Sequence, residues 1–181
     1  DICFLCGARL TDDNRSVEHV FPKWVLRKFD LWNHTVTLLN GTRLPYRSLV
    51  IPCCQSCNNG PLSSLEQRVE RHYREGFAGM LQADQMDLLL WSIKIIFGIL
   101  YREVFLPMDR ADPNAGVIVS PEAMENYRML HYILQATRLP MQFHSADNAI
   151  PGTVFVFNLK EPPNPRLQFD FRDDILDVNL Y

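Results

Sequence analysis

The pattern of apolar and polar positions differs between the two halves of the chain. In the first half the apolar stretches are short, which predicts small elements. A strand is predicted over 15–21, a short helix over 24–29, and a hairpin that turns at Asn40-Gly41. A longer helix is predicted over 62–76. We expect Ser63 or Ser64 to cap this last helix, and Gly76 and Gly79 to mark its end.

Longer periodic stretches follow residue 84. Two helices and two strands are predicted there, over residues 84–105, 121–137, 153–159 and 167–171. The apolar stretch Leu88–Tyr101 is too short for a membrane span and contains Lys94, so it predicts a buried core helix instead. Trp91, Phe97 and Tyr101 have near-helical spacing, which places them in the same core.

The fold class expected from these elements is α+β. We place a domain boundary near residues 77–84, which divides the chain into a module of residues 1–78 and a helix-rich α+β region of residues 84–181. The hydrophobic fraction of 47% and the charged fraction of 22% are those of a globular protein rather than a disordered chain. No membrane partner is expected, and cysteines spaced for metal thiolates in a reducing compartment favour a cytoplasmic protein.

The charge is divided unevenly between the two parts. Residues 1–78 contain ten Lys/Arg and eight Asp/Glu, a net charge of +2, whereas the remaining residues contain eight and thirteen, a net charge of -5. The overall charge of -3 argues against a uniformly basic nucleic-acid binder. A weakly basic first part is compatible with contacts to phosphate.

Four of the five cysteines form two short pairs, Cys3-x-x-Cys6 and Cys54-x-x-Cys57. Two such pairs predict one tetrahedral four-thiolate zinc site in a reducing compartment, not a disulfide framework. A site filled by four thiolates has no open position for water, so this zinc is expected to be structural. Cys53 is the extra cysteine, although Cys53 and Cys54 could exchange roles.

The loop closed by these cysteines contains a pair suited to phosphodiester hydrolysis. Such a reaction needs a base that takes a proton from water and a cation that neutralises charge on the phosphate. His19 titrates near neutrality and is the expected base. Oxygen atoms of Glu18 and Asn58 could hold Mg²⁺ or Mn²⁺ if the cysteine site brings the two residues together.

Residues 3–66 resemble an HNH endonuclease of the ββα-metal nuclease superfamily in its zinc-stapled form. The resemblance lies in the two cysteine pairs, Glu18-His19-Val20-Phe21-Pro22, Asn58-Asn59 after the last cysteine, and Leu65-Glu66. It implies a zinc-stapled ββα-metal module that cleaves DNA, with His19 as general base, and with Glu18 and Asn58 as ligands of the catalytic ion.

The sequence departs from the HNH pattern at two positions. Asn58 stands where the family has its final His, which keeps an oxygen donor. The segment Ser48–Pro52 stands where the family has a middle Asn, which orients the catalytic His. Asn40 or a backbone carbonyl would have to replace that Asn.

Several of these residues also have structural interpretations. Asn58-Asn59 can cap a helix, and Glu66 is favoured as a capping-box partner of Ser63 over a third carboxylate. A row of arginines along the predicted helix fits a solvated face better than a phosphate-binding surface: Arg68, Arg71 and Arg74. The histidines without a partner motif are expected to be structural: His34, His72, His131 and His144.

Two further functional interpretations stay open. The first part could be a non-catalytic zinc-stabilised module that binds nucleic acid or a protein. Alternatively, residues 84–181 could restrain the nuclease, respond to a regulatory partner, or form a homo-oligomer.

Overall fold

The computed structural model describes residues 1–104, 106–109, 111–112, 114–139 and 154–156. Within these ranges the protein is a mixed α/β chain with two small antiparallel sheets. The strands are β1 (Arg15–His19), β2 (Thr35–Thr37), β3 (Arg43–Pro45) and β4 (Val50–Cys54). The α-helices are α1 (Lys23–Lys28), α2 (Gln55–Cys57), α3 (Ser63–Arg74), α4 (Gly76–Gln82), α5 (Gln85–Glu103), α6 (Pro121–Glu125) and α7 (Arg128–Leu134).

The first sheet pairs β1 with β4, and the predicted strand over 15–21 is confirmed as β1. Glu18 lies opposite Ile51 and His19 opposite Val50. The usual burial pattern is inverted in β1, because Glu18 is 5% exposed and Val17 is 50% exposed. A strand that buries a carboxylate and exposes a valine is shaped by something other than apolar burial.

The second sheet is the predicted hairpin, formed by β2 and β3. Gly41 has a φ of 75°, a backbone conformation that glycine adopts at little cost. The Asn40 side chain accepts a hydrogen bond from the Thr42 amide at 3.0 Å. The turn at Asn40-Gly41 is therefore confirmed.

The predicted serine cap of α3 is wrong. The backbone stays helical from α2 through a π-helical turn, Asn58–Leu62, into α3, so Ser63 does not begin a helix. Pro61 lies within this turn and has no backbone N–H, which prevents a regular α-helical hydrogen-bond ladder. Instead, Gln67 Nε2 donates to Ser63 Oγ at 3.2 Å.

Helix α3 ends where it was predicted to end, but only one of the two glycines expected there marks the end. The helix ends at Arg74, and Gly76 follows with a φ of 74°. Gly79 was expected to mark the same end but lies inside α4. A Cβ atom at Gly79 would be 2.4 Å from the His72 carbonyl oxygen, so glycine permits the close approach of α4 to the end of α3.

The predicted long helix is α5, and Asp84 caps it by accepting from the amides of Met86 at 2.7 Å and Asp87 at 3.2 Å. The helix predicted over 121–137 is divided into α6, α7 and a 3₁₀ turn, Gln135–Thr137. The predicted strand over 167–171 lies outside the described residues. The same holds for the strand over 153–159, except for residues 154–156, which are not in a strand.

One hydrophobic core includes residues from both sides of the expected boundary at 77–84. Leu5, Ile51 and Leu65 share it with Ile93 of α5 and Leu134 of α7. The division into two domains stays a prediction, but the apolar residues do not form two separate cores within the described ranges. In the same part of the chain, no helix is both long and apolar enough to cross a bilayer.

Helix α5 approaches the first sheet closely at Gly98. A Cβ atom there would lie 3.2 Å from Val20 Cγ2 and 3.4 Å from Ile51 Cδ1. Lys94 is one helical turn before Gly98, so the close contact sets how far Lys94 can reach toward β1.

We expect Gly98→Leu to lower the free energy of unfolding by about 1–3 kcal/mol, because the added side chain forces α5 away from Val20 and Ile51. Urea denaturation measures the change. Ile96→Leu, on the exposed face of the same helix, should change the free energy of unfolding by less than about 0.5 kcal/mol. Equal effects of the two substitutions would contradict the close packing at Gly98.

Candidate functional site

Each cysteine pair lies in a tight turn held by the backbone. In the first turn the Gly7 amide donates to the Cys3 carbonyl at 2.9 Å, and Gly7 has a φ of 71°, as expected for a thiolate-binding turn. In the second turn the Cys57 amide donates to Cys54 Sγ at 3.5 Å. Such N–H···S bonds point the sulfur atoms toward a common centre.

The two turns lie side by side because the Phe4 amide donates to the Pro52 carbonyl of β4 at 2.9 Å. The four sulfur atoms, of Cys3, Cys6, Cys54 and Cys57, lie within 4.8 Å of one another, and those of Cys6 and Cys54 are 3.8 Å apart. A tetrahedral zinc with bonds of about 2.3 Å separates its sulfur ligands by about 3.8 Å. The four cysteines therefore fit a structural metal ion such as zinc.

The protonation chemistry of the cluster also fits a cation. Burial raises the pKa of Cys6, and it raises the pKa of Cys57, where contacts with Cys54 and Cys6 act in the same direction. A bound cation would favour the thiolate forms of Cys6 and Cys57, which burial alone disfavours. In the described part of the chain, no other group of His, Cys, Asp and Glu side chains has three or more donor atoms placed to share a metal ion.

Cys53 lies beside the cluster, outside the group of four. Its sulfur is 3.9 Å from that of Cys3. Their hydrogen bond and burial raise the pKa of Cys53, whereas the same hydrogen bond lowers the pKa of Cys3 to about 3. Cys54, and not Cys53, belongs to the group of four, as the sequence indicated.

A cavity of about 430 Å³ follows the edge of β1 that is not paired with β4. The three residues expected at the active site, Glu18, His19 and Asn58, all line it. Glu18 and His19 are consecutive residues of β1 whose side chains are expected on opposite faces, and both nevertheless line the cavity. The other polar lining residues include Asn59, Glu66, Lys23, Arg27 and Arg74.

The π-helical turn after the last cysteine directs the Asn58 side chain toward β1. Asn58 Nδ2 donates to Ser16 Oγ at 2.7 Å and to the Val17 carbonyl at 2.8 Å. Both amide hydrogens are therefore used on β1, which leaves Oδ1 as the available acceptor. Asn58 is not the N-cap of a helix, because the backbone is helical on both sides of it.

Lys94 reaches the same site, although the sequence predicted only that it lies in the core. Lys94 of α5 is 0% exposed, and its ammonium group pairs with the Glu18 carboxylate and with Glu66 Oε1 at 2.8 Å. The same nitrogen donates to the carbonyl oxygens of His19 at 2.6 Å and Val20 at 3.2 Å. A lysine in the middle of an apolar helix was the sequence signal for this contact.

The expected role of Glu66 as a capping partner is wrong. Because α3 begins without a serine cap, Glu66 has no capping box to complete. Its carboxylate lies beside the cavity and accepts from Lys94. Glu66 is thus the second carboxylate of the site, on the helix that flanks β1.

Burial and neighbouring charges set the protonation of the two central residues. Burial raises the pKa of Glu18 to about 7; Lys94 opposes this shift, and Glu66 adds to it. Burial also lowers the pKa of His19, as do the positive charges of Lys23 and Lys94. At neutral pH His19 therefore holds an uncharged imidazole, the form that can accept a proton.

The His19 ring stacks on Trp32, with 6.2 Å between the ring centroids and 22° between the planes. Asn40 does not replace the missing middle Asn. Its Nδ2 donates to the Pro107 carbonyl at 2.9 Å, and its Oδ1 accepts from the Thr42 amide. No described residue forms a hydrogen bond with the His19 ring.

The arginine row on α3 does not form one phosphate-binding surface. Arg68 makes a two-point contact with Asp87 at 2.6 and 2.7 Å, which joins α3 to α5. Arg74 pairs with Glu70 at 2.5 Å and lines the cavity. The expected solvated face is thus partly an interhelical contact.

Comparison with known proteins finds no match to this chain among family models, curated proteins or solved structures.

We expect the purified protein to contain about one zinc ion per chain, because the four sulfur atoms fit tetrahedral coordination. Cys54→Ala should remove the ion, and the N-terminal region should unfold with it. Cys53→Ala is the matched control, one residue away, and should keep the zinc. Metal analysis by mass spectrometry measures both; zinc lost from Cys53→Ala and retained in Cys54→Ala would contradict the assignment.

Proposed function

We propose that the protein is a metal-dependent endonuclease that hydrolyses DNA phosphodiester bonds, with a ββα-metal active site stapled by structural zinc. The observation that supports this most strongly is the convergence of Glu18, His19 and Asn58 on one cavity beside the four-cysteine cluster. These residues are up to forty positions apart in sequence. The order strand, strand, helix formed by β1, β4 and α3 agrees with the proposed HNH architecture.

His19 acts as the general base in this proposal. Its lowered pKa keeps the imidazole uncharged at neutral pH, and it borders the cavity in which water and a phosphate would meet. The Trp32 ring lies nearly parallel to the imidazole. His19 then takes the proton from the attacking water.

Glu18 and Asn58 are the residues that would hold the divalent ion, Mg²⁺ or Mn²⁺. A hard cation prefers oxygen ligands, and it keeps several waters when protein and phosphate supply the rest. Asn58 offers Oδ1 because both of its amide hydrogens bind β1. When bound, such an ion neutralises charge on the scissile phosphate and the leaving oxygen.

Lys23 and Arg27 supply the contacts to the DNA backbone. They lie one turn apart on α1, and both line the cavity. The guanidinium carbon of Arg27 also lies over the Trp32 ring, 5.8 Å from its centroid. Two positive side chains beside His19 favour a phosphate at this position.

One observation favours a second candidate, a non-catalytic zinc-stabilised module that binds nucleic acid. Glu18 already forms an ion pair with Lys94, so one of its carboxylate oxygens is occupied and less available to a catalytic ion. Such a module would bind DNA through the same basic residues without cleaving it. Nicking of a supercoiled plasmid with Mg²⁺ or Mn²⁺ separates the two candidates.

We expect His19→Ala to reduce plasmid nicking by at least about 100-fold, because the general base is removed. The control is His34→Ala, which changes an exposed histidine whose side chain makes no described contact and should retain activity. Zinc content and thermal unfolding should match the unsubstituted protein in both variants. Full nicking by zinc-replete His19→Ala protein would refute the catalytic assignment.

We also expect the double substitution Lys23→Gln with Arg27→Gln to weaken DNA binding, because two phosphate contacts are lost. The plot of log Kd against log salt concentration should become shallower by about 2. Fluorescence anisotropy in the His19→Ala background measures binding without cleavage. Arg9→Gln with Arg128→Gln removes the same charge away from the cavity and should leave the slope unchanged; equal slopes for the two double variants would refute the contact.

A further inference from the structure

We infer that Lys94 is the positioning residue of the site, and that its ammonium group fixes the end of β1 so that His19 has one defined place beside the cavity. The catalytic consequence of this inference rests on the proposed nuclease function. The effect of Lys94 on the position of His19 does not depend on that function, because it concerns only the contacts between α5 and β1.

Four oxygen atoms surround the ammonium group of Lys94. Two come from side chains, Glu18 on β1 and Glu66 on α3. Two come from the consecutive main-chain carbonyls of His19 and Val20, at 2.6 and 3.2 Å. A single buried charge thus joins β1, α3 and α5 at the residue that carries the proposed base.

The contacts of Lys94 with main-chain carbonyls indicate that it does more than neutralise the two carboxylates. Two carboxylates can be balanced without any main-chain contact, yet the ammonium group also donates to the carbonyl oxygens of His19 and Val20. Burying an ammonium group is costly, and an apolar residue would suit the core of α5 better for stability alone. The contacts to His19 and Val20 indicate that the lysine is retained for the geometry it imposes.

This role fills a position that the sequence left vacant. The HNH pattern has an Asn that orients the catalytic His, and Asn40, the candidate replacement, is bound to Pro107 and Thr42. In this structure His19 lies opposite Val50 in the sheet and has two further contacts. Its ring stacks on Trp32, and its carbonyl accepts from Lys94.

The test uses a double variant, Lys94→Met with Glu66→Gln, in the full chain. Removing the lysine alone would leave Glu18 and Glu66 facing each other in a buried site, and the protein could unfold. The double variant removes one positive and one negative charge, so the net charge of the cluster is unchanged. Glu66→Gln alone is the reference, because it keeps the ammonium group and its bonds to both carbonyls.

Three properties are compared between the double variant and the reference. Zinc content and thermal unfolding establish that the fold is intact. The NMR resonances of the His19 ring, assigned with His19→Ala, report the ring-current effect of Trp32 and require no activity. Nicking kinetics give kcat and KM separately.

We expect the His19 resonances to lose their ring-current shift in the double variant while zinc content stays unchanged. The turnover number kcat should fall at least about 100-fold relative to the reference, because a displacement of about 1 Å at the base has this effect. KM for DNA should stay within about threefold, since the DNA-binding residues are untouched. Unchanged His19 resonances in a folded double variant would overturn the inference.

Two further outcomes are distinguishable. If His19 moves but no variant nicks DNA, including the unsubstituted protein, the nuclease proposal fails and the positioning role stands. If the Met variant does not fold, Lys94→Gln with Glu66→Gln replaces it, because its amide can donate to one carbonyl. The His19 resonances should then shift by an intermediate amount, and no shift would overturn the inference.

Discussion

The buried ammonium group of Lys94 is the interaction on which the arrangement of the site depends. It joins β1, α3 and α5 through polar contacts. Desolvating a lysine and a glutamate costs several kcal/mol, and their attraction recovers this only with good geometry and further hydrogen bonds. Four surrounding oxygens meet that condition. The burial of Glu18 follows from it, because the carboxylate turns inward to meet the ammonium group and Val17 is left exposed.

The sequence predicted the local features well. The alternation over 15–21 predicted β1 because its signal lies within a few residues, and the short spacing inside each cysteine pair predicted the group of four although the two pairs are far apart in sequence. The turn at Asn40-Gly41 was predicted for the same reason. Short-range geometry needs only local residue preferences, and those are present in the sequence.

The contacts of Lys94 could not be predicted in this way. Lys94 and Glu18 are 76 positions apart, and a lysine in an apolar stretch indicates burial without naming its partner. The role of Glu66 was missed for a related reason. A glutamate three residues after a serine fits a capping box, but Pro61 extends the helical backbone upstream and removes the helix start that such a box requires.

The cysteine cluster and Lys94 constrain β1 from opposite ends. Near the cluster, Arg15 pairs with Cys54, and the π-helical turn after Cys57 brings Asn58 onto the β1 edge. At the other end, Lys94 holds the carbonyls of His19 and Val20. The sheet also holds this end, because His19 lies opposite Val50 of β4, and the Val20 amide donates to the Leu49 carbonyl at 3.0 Å. Lys94 adds a constraint from α5, so residues beyond 84 are part of the site's construction, and a fragment ending at residue 78 would lack this contact to the proposed base.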